Sequence, residues 1–89
     1  MTVCRRVFYS GNVQGVGFRY TATHLARGFA VAGTVRNLAD GRVELVAEGE
    51  AAEVDRFLDA VRRQMTGYVD REDAQDQPPR GLTDFRIER

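Results

Sequence analysis

Apolar positions along the chain switch between short β-type runs and helical spacing. Residues 3–10 (VCRRVFYS) are rich in β-branched and aromatic side chains and stop at Gly11, which predicts a strand. From about Arg19 the period changes: Phe18, Ala22, Leu25, Ala26 and Phe29 fall on one side at helical spacing, predicting a helix over about residues 19–28. Residues 30–37 and 42–48 read as two further strands, joined through Asp40-Gly41, a pair that tolerates the positive φ of a tight hairpin turn. In the second of these, Val43, Leu45 and Ala47 alternate with Arg42, Glu44, Val46 and Glu48, which predicts one buried and one largely wet face. The clearest helix covers residues 50–65, where Val54, Phe57, Leu58, Val61 and Met65 form the apolar stripe. Its acids come early and its arginines late, as the helix dipole favours. Residues 67–74 are charged enough to be an edge strand at best. After Pro78-Pro79 a short strand runs from Thr83 to Glu88, with Phe85 and Ile87 facing one way.

The order β-α-β-β-α-β is most economically folded as an α+β sandwich of ferredoxin-like type. Its sheet would be four-stranded and antiparallel, with two helices on one face. No repeat or linker interrupts the chain, so residues 1–89 are expected to form one domain. At that size folding buries only roughly 60–65% of the unfolded chain's surface, so stability rests on packing. The single cysteine, Cys4, has no disulfide partner, and one histidine, His24, falls short of the usual zinc spacings. Together they predict a reducing, cytoplasmic setting and no structural metal.

Net charge is zero and the pI about 6.6, without the basic excess of a domain built around nucleic acid. All thirteen basic residues are arginine, scattered over the chain, which reads as a compositional bias. No apolar run is long enough to span a membrane. The basic start, Met1 to Arg6, lacks the apolar stretch of a signal peptide.

The chemistry concentrates in the loop Gly11-Asn12-Val13-Gln14-Gly15-Val16-Gly17-Phe18-Arg19, between a strand and the start of a helix. The first N–H groups of a helix lack intrahelical acceptors, and the dipole puts partial positive charge there. Glycines allow successive N–H groups to converge on an anion. Arg19, in the first turn, opposes the dipole at a cost of about 0.3–1 kcal/mol. A phosphate held between the N–H groups and the guanidinium would reverse that sign, and Arg can meet it with two hydrogen bonds. A surface arginine that simply tolerates the cost is the other reading. The loop lacks the Gly-Lys-Ser/Thr ending of a nucleotide-binding loop and the glycine order of a dinucleotide turn. It has no cysteine either, which excludes thiolate-phosphatase chemistry.

With its G-x-V-Q-G-V-x-F-R core complete, this loop resembles the first signature of the acylphosphatase family. Val35-Arg36-Asn37, followed by Asp40-Gly41-Arg42-Val43-Glu44 and then Gly49, resembles the second, at matching distance. Two departures stand out: Thr34 follows Gly33 where the family usually has an aromatic residue, and the bend after the second helix is reduced to Met65-Thr66-Gly67-Tyr68. The resemblance implies hydrolysis of an acyl phosphate to carboxylate and inorganic phosphate, without cofactor or metal. It makes Arg19 and Asn37 the catalytic residues, with Gly11, Asn12, Val13, Gln14, Gly15, Val16, Gly17 and Phe18 forming the phosphate-binding loop. Asn37 would orient the attacking water, reached by placing the strand 30–37 beside the first strand. Asn before a hairpin turn can also serve backbone geometry alone.

His24 lies five residues after Arg19, about 140° around the helix and away from the site. Phe18 reads as a core anchor. Gln14 either contacts solvent or braces the loop, and no residue identifiable from sequence reads the acyl side. The implied partners are a small-molecule acyl phosphate and inorganic phosphate as product and competitor, with no nucleic acid or membrane and a monomeric state. The same fold serves RNA recognition, but strand 42–48 offers Glu44 and Glu48 rather than stacking aromatics. A rival is a non-catalytic phosphate- or carbamoyl-phosphate-binding module of this fold, such as the one that begins the large hydrogenase-maturation carbamoyltransferases. The 89-residue length favours the free-standing enzyme.

Overall fold

The computed structural model describes residues 1–89 throughout. Strand β1 (Thr2–Gly11) leads into helix α1 (Phe18–Ala26). The hairpin of β2 (Val31–Asn37) and β3 (Val43–Glu50) follows, then helix α2 (Ala51–Gln64), β4 (Val69–Gln77) and β5 (Phe85–Ile87). The β-α-β-β-α-β order and the two helices on one face agree with the sequence reading. Phe18, Ala22 and Ala26 of α1 and Val54, Phe57, Leu58 and Val61 of α2 share one core with Val7, Tyr9, Val35, Val43, Leu45 and Ala47 of the sheet.

The sheet has five strands rather than four, in the order β4-β1-β3-β2-β5. All pair antiparallel except β5, which runs parallel to β2 along the sheet's outer edge. Phe85 drives this addition. Its ring meets Phe57 at 5.3 Å between centroids, and it lies over Gly33, where a Cβ would come within 2.9 Å of it. Gly33 N–H donates to Asp84 O and Glu88 N–H to Val35 O, closing the pairing.

Strand β2 does not lie beside β1, contrary to the expectation for Asn37: β3 separates them. A β1-α1-β2 crossover leaves room for one strand between its parallel partners, and the hairpin returns β3 into that gap, giving a split βαβ unit.

The second face of β3 is not wet. Glu44, Val46 and Glu48 are buried, like the apolar residues they alternate with. Arg36 Nε bonds to Glu44 at 2.8 Å and Arg6 Nε lies 3.4 Å from its other oxygen. Glu48 accepts the backbone N–H groups of Arg80 (2.6 Å), Gly81 (2.8 Å) and Leu82 (3.0 Å), pinning the segment after Pro78-Pro79 across this face. Those donors, Arg80 N–H foremost, hold the Glu48 carboxyl below its usual range. Burial, with the Glu48 charge nearby, pushes the buried Cys4 thiol up. Buried carboxylates survive here because each is paired or multiply hydrogen-bonded.

Candidate active site

The loop between β1 and α1 is shaped by glycines and anchored by apolar side chains. Gly15 and Gly17 have φ of 78° and 80°, a left-handed conformation that a side chain would strain. Gly17 is the N-cap of α1, and its carbonyl accepts the first helical bond, from Thr21 N–H at 2.9 Å. Val13 is fully buried and plants the loop in the core. Phe18 does the same at the head of α1, its ring 4.8 Å from that of Tyr9.

Between these anchors the backbone is uncommitted: no N–H from Asn12 to Tyr20 finds an acceptor within the protein. The helix adds no side-chain cap and no acid in its first turn. Arg19 is half-buried yet has no ion-pair partner, whereas eight other arginines do. An anion held here would meet N–H donors, the positive end of the dipole and a free guanidinium together.

Asn37 is the last residue of β2, and its side-chain amide is likewise without a partner inside the protein. It lines the same narrow cleft of about 170 Å³ as Val13, Gly15, Gly17, Phe18, Arg19 and Tyr20. The intervening β3 does not keep Asn37 from the loop, because α1 starts at the end of the sheet where β2 finishes.

Gln14 braces the loop, deciding between the two readings its sequence position allowed. Its Nε2 donates to Leu38 O at 2.8 Å and to Arg42 O at 3.0 Å. Those carbonyls belong to the turn that directly follows Asn37, where Leu38 N–H also donates to Arg42 O at 2.8 Å. Asp40 locks the same turn by accepting Arg42 N–H at 3.1 Å and pairing with Arg42 Nε at 2.9 Å. The Arg42 N–H holds the Asp40 carboxyl below its ordinary value. One amide thus ties the loop of residues 11–19 to the hairpin carrying Asn37.

Gly11, Asn12, Gln14 and Val16 do not line the cleft, although sequence placed them in the binding loop. His24 is exposed and lines a separate groove between the helices. Tyr20 lines the cleft and was not singled out from sequence; an exposed aromatic beside Arg19 was its only signal. The largest surface cleft, about 720 Å³, lies between α2 and β4. Its charges satisfy one another, Arg5 with Asp55 and Asp76 and Arg62 with Glu72, so it offers no free group for chemistry.

Fold and site together define a ferredoxin-like sandwich with unsatisfied N–H donors and an unpaired arginine at a helix N-terminus. The acylphosphatase family model matches residues 5–87. Over 88 residues the chain is 41% identical to an acylphosphatase from Methanothrix thermoacetophila, covering 98% of both chains. It superposes on the crystal structure of acylphosphatase from Bacillus subtilis with a TM-score of 0.90 and 34% identity, each chain wholly covered. It also superposes on HypF of T. kodakarensis with a TM-score of 0.79 and 28% identity, covering 96% of this chain but 12% of that one. The chain belongs to the acylphosphatase family.

No helix is long and apolar enough to cross a membrane, and no three of His, Cys, Asp and Glu gather where they could hold a metal ion.

Proposed function

We propose that the protein hydrolyses the carboxyl-phosphate anhydride of acyl phosphates, with Arg19 and Asn37 as its catalytic residues. One observation carries the assignment of the site: an unbroken run of uncommitted N–H groups, Asn12 to Tyr20, that includes an arginine with no internal partner. Those N–H groups of the run that face the cleft, together with the Arg19 guanidinium, take the phosphoryl oxygens. Asn37 orients a water through its side-chain amide. Water oxygen bonds to phosphorus as the bond from phosphorus to the bridging oxygen breaks, and the carboxylate leaves with that electron pair. One water proton passes to a phosphoryl oxygen, so inorganic phosphate and carboxylate result. A carboxylate is stable as an anion, so no general acid is required, and no carboxyl or imidazole group lines the cleft.

Phosphoryl transfer through a loose transition state asks mainly for positioning and charge stabilisation, which the cradle supplies without a metal. Inorganic phosphate competes for the same donors. The protein works in a reducing, cytoplasmic setting, a reading supported by its single unpaired Cys4, and acts as a monomer. The test is phosphate release from benzoyl phosphate, measured with and without a chelator. The expected result is turnover that the chelator leaves unchanged. No release above the uncatalysed rate, or a requirement for added metal, sinks the proposal.

A further inference from the structure

The cleft that holds the phosphoryl group has little else to offer a substrate. Of its lining side chains Val13 and Phe18 are buried, and Arg19 and Asn37 are committed to the phosphate and the water. That leaves Tyr20, which is 68% exposed and stands in the first turn of α1. Helical side chains lean toward the helix N-terminus, so the Tyr20 ring covers the rim formed by the Gly15–Gly17 turn. Tyr20 also lines a second, wider groove of about 520 Å³ between the helices, together with Thr21, His24, Leu25 and Gln64. It is the one residue common to both clefts. A group joined to a phosphate in the cleft and lying against Tyr20 would reach this groove, where Leu25 is the other apolar side chain and Thr21, His24 and Gln64 are the polar ones.

From this shared residue we infer that Tyr20 and the adjacent α1/α2 groove form the acyl subsite, and that the subsite favours acyl phosphates with aromatic acyl groups. The inference rests on the hydrolase reading above and names the part of the substrate that reading leaves open. Isolated exposed tyrosines carry no meaning by themselves. Tyr20 differs in lining both the phosphate cleft and the α1/α2 groove beside it. A planar acyl group stacks on the ring, and a two-carbon acyl group is too short to do so. Offset or edge-on aromatic contact adds to simple burial, and the hydroxyl of Tyr20 remains free to face water.

The experiment compares kcat/KM for benzoyl phosphate and acetyl phosphate in the unaltered protein, in Tyr20→Ala and in Tyr20→Phe, with Tyr68→Ala as a surface-tyrosine control. In Tyr20→Ala the benzoyl-to-acetyl ratio of kcat/KM should fall roughly ten-fold, chiefly through KM for benzoyl phosphate. Tyr20→Phe and Tyr68→Ala should keep the ratio. A ratio unchanged in Tyr20→Ala, with both substrates still turned over, overturns the subsite and leaves the hydrolase reading standing. No turnover of either substrate by the unaltered protein overturns both.

Discussion

The two helices of this protein begin in opposite ways, although each follows a β-strand. Helix α2 starts directly after Glu50, carries Glu53 in its first turn and ends with Arg62 and Arg63. Its first N–H, from Ala51, donates to Met1 O. Glu53 further accepts Ala30 N–H at 3.0 Å and pairs with Arg56. Helix α1 starts after a left-handed glycine, has no acid in its first turn and places Arg19 there instead. One N-terminus is neutralised from within the chain, and the other is left with its positive end reinforced. A bound anion, as proposed for this site, would offset the charge that α1 leaves uncompensated. Stable sequences break such local rules where function needs them broken, and the contrast with α2 shows that this chain can follow the rule.

The contrast breaks hardest at Arg19. Removing a positioned donor from a developing negative charge typically costs about 10²–10³ in rate, and Arg19→Ala should lose at least that in kcat/KM while also weakening competition by phosphate. Steady-state kinetics with phosphate as inhibitor measures both. A variant that keeps its inhibition constant for phosphate would mean that the N-terminus of α1 holds the anion without Arg19. Asn37→Ala comes next. It should lower kcat by about 10²-fold through loss of a positioned water, with phosphate inhibition unchanged, because Asn37 acts on the nucleophile. Full activity in this variant would return Asn37 to the backbone role that its place before a turn allows.

Gln14 tests whether the open N-terminus also needs bracing from outside. Its two bonds to Leu38 O and Arg42 O span from the loop to the hairpin of Asn37. Gln14→Ala should reduce kcat about ten-fold by loosening Asn37 relative to the bound phosphate. It should also cost about 0.5–1.5 kcal/mol of stability, the usual net worth of a hydrogen bond, because Leu38 O and Arg42 O each keep a backbone donor. Thermal unfolding and kinetics on the same samples separate the two effects. If stability falls and kcat does not, the brace is merely structural.

How much of this was legible in the sequence depends on whether the signal was local. Element types followed from periodicity, and two motifs at fixed spacing picked out Arg19 and Asn37, which line one cleft. Pairing partners did not follow. The position of β3 between β1 and β2, and the parallel β5, depend on contacts between residues far apart, such as Phe85 over Gly33. Glu44 and Glu48 looked exposed because carboxylates usually are. Their burial became visible only once Arg36, Arg6 and the N–H groups of residues 80–82 were placed around them. Gln14 and Tyr20 were obscured for the same reason: an amide has no meaning until its acceptors are known, and an exposed ring none until a groove is found beside it.

The smallest expected effect sharpens the comparison most, because it gives each helix the other's chemistry. Arg19→Glu supplies α1 with the first-turn acid that α2 has, and Glu53→Gln removes that charge from α2 while keeping an acceptor for Ala30 N–H. In phosphate-free buffer Arg19→Glu should raise stability and Glu53→Gln should lower it, each by about 0.3–1 kcal/mol. At this chain length that is a shift of at most several degrees in Tm. Added phosphate should reverse the order at α1, since a ligand at a hundred times its Kd stabilises by about 2.7 kcal/mol, and only the unaltered protein retains the full site. Glu53→Gln should respond to phosphate as the unaltered protein does. If Arg19→Glu instead melts lower in phosphate-free buffer, Arg19 supports the fold, and α1 is not held open for an anion at the expense of stability.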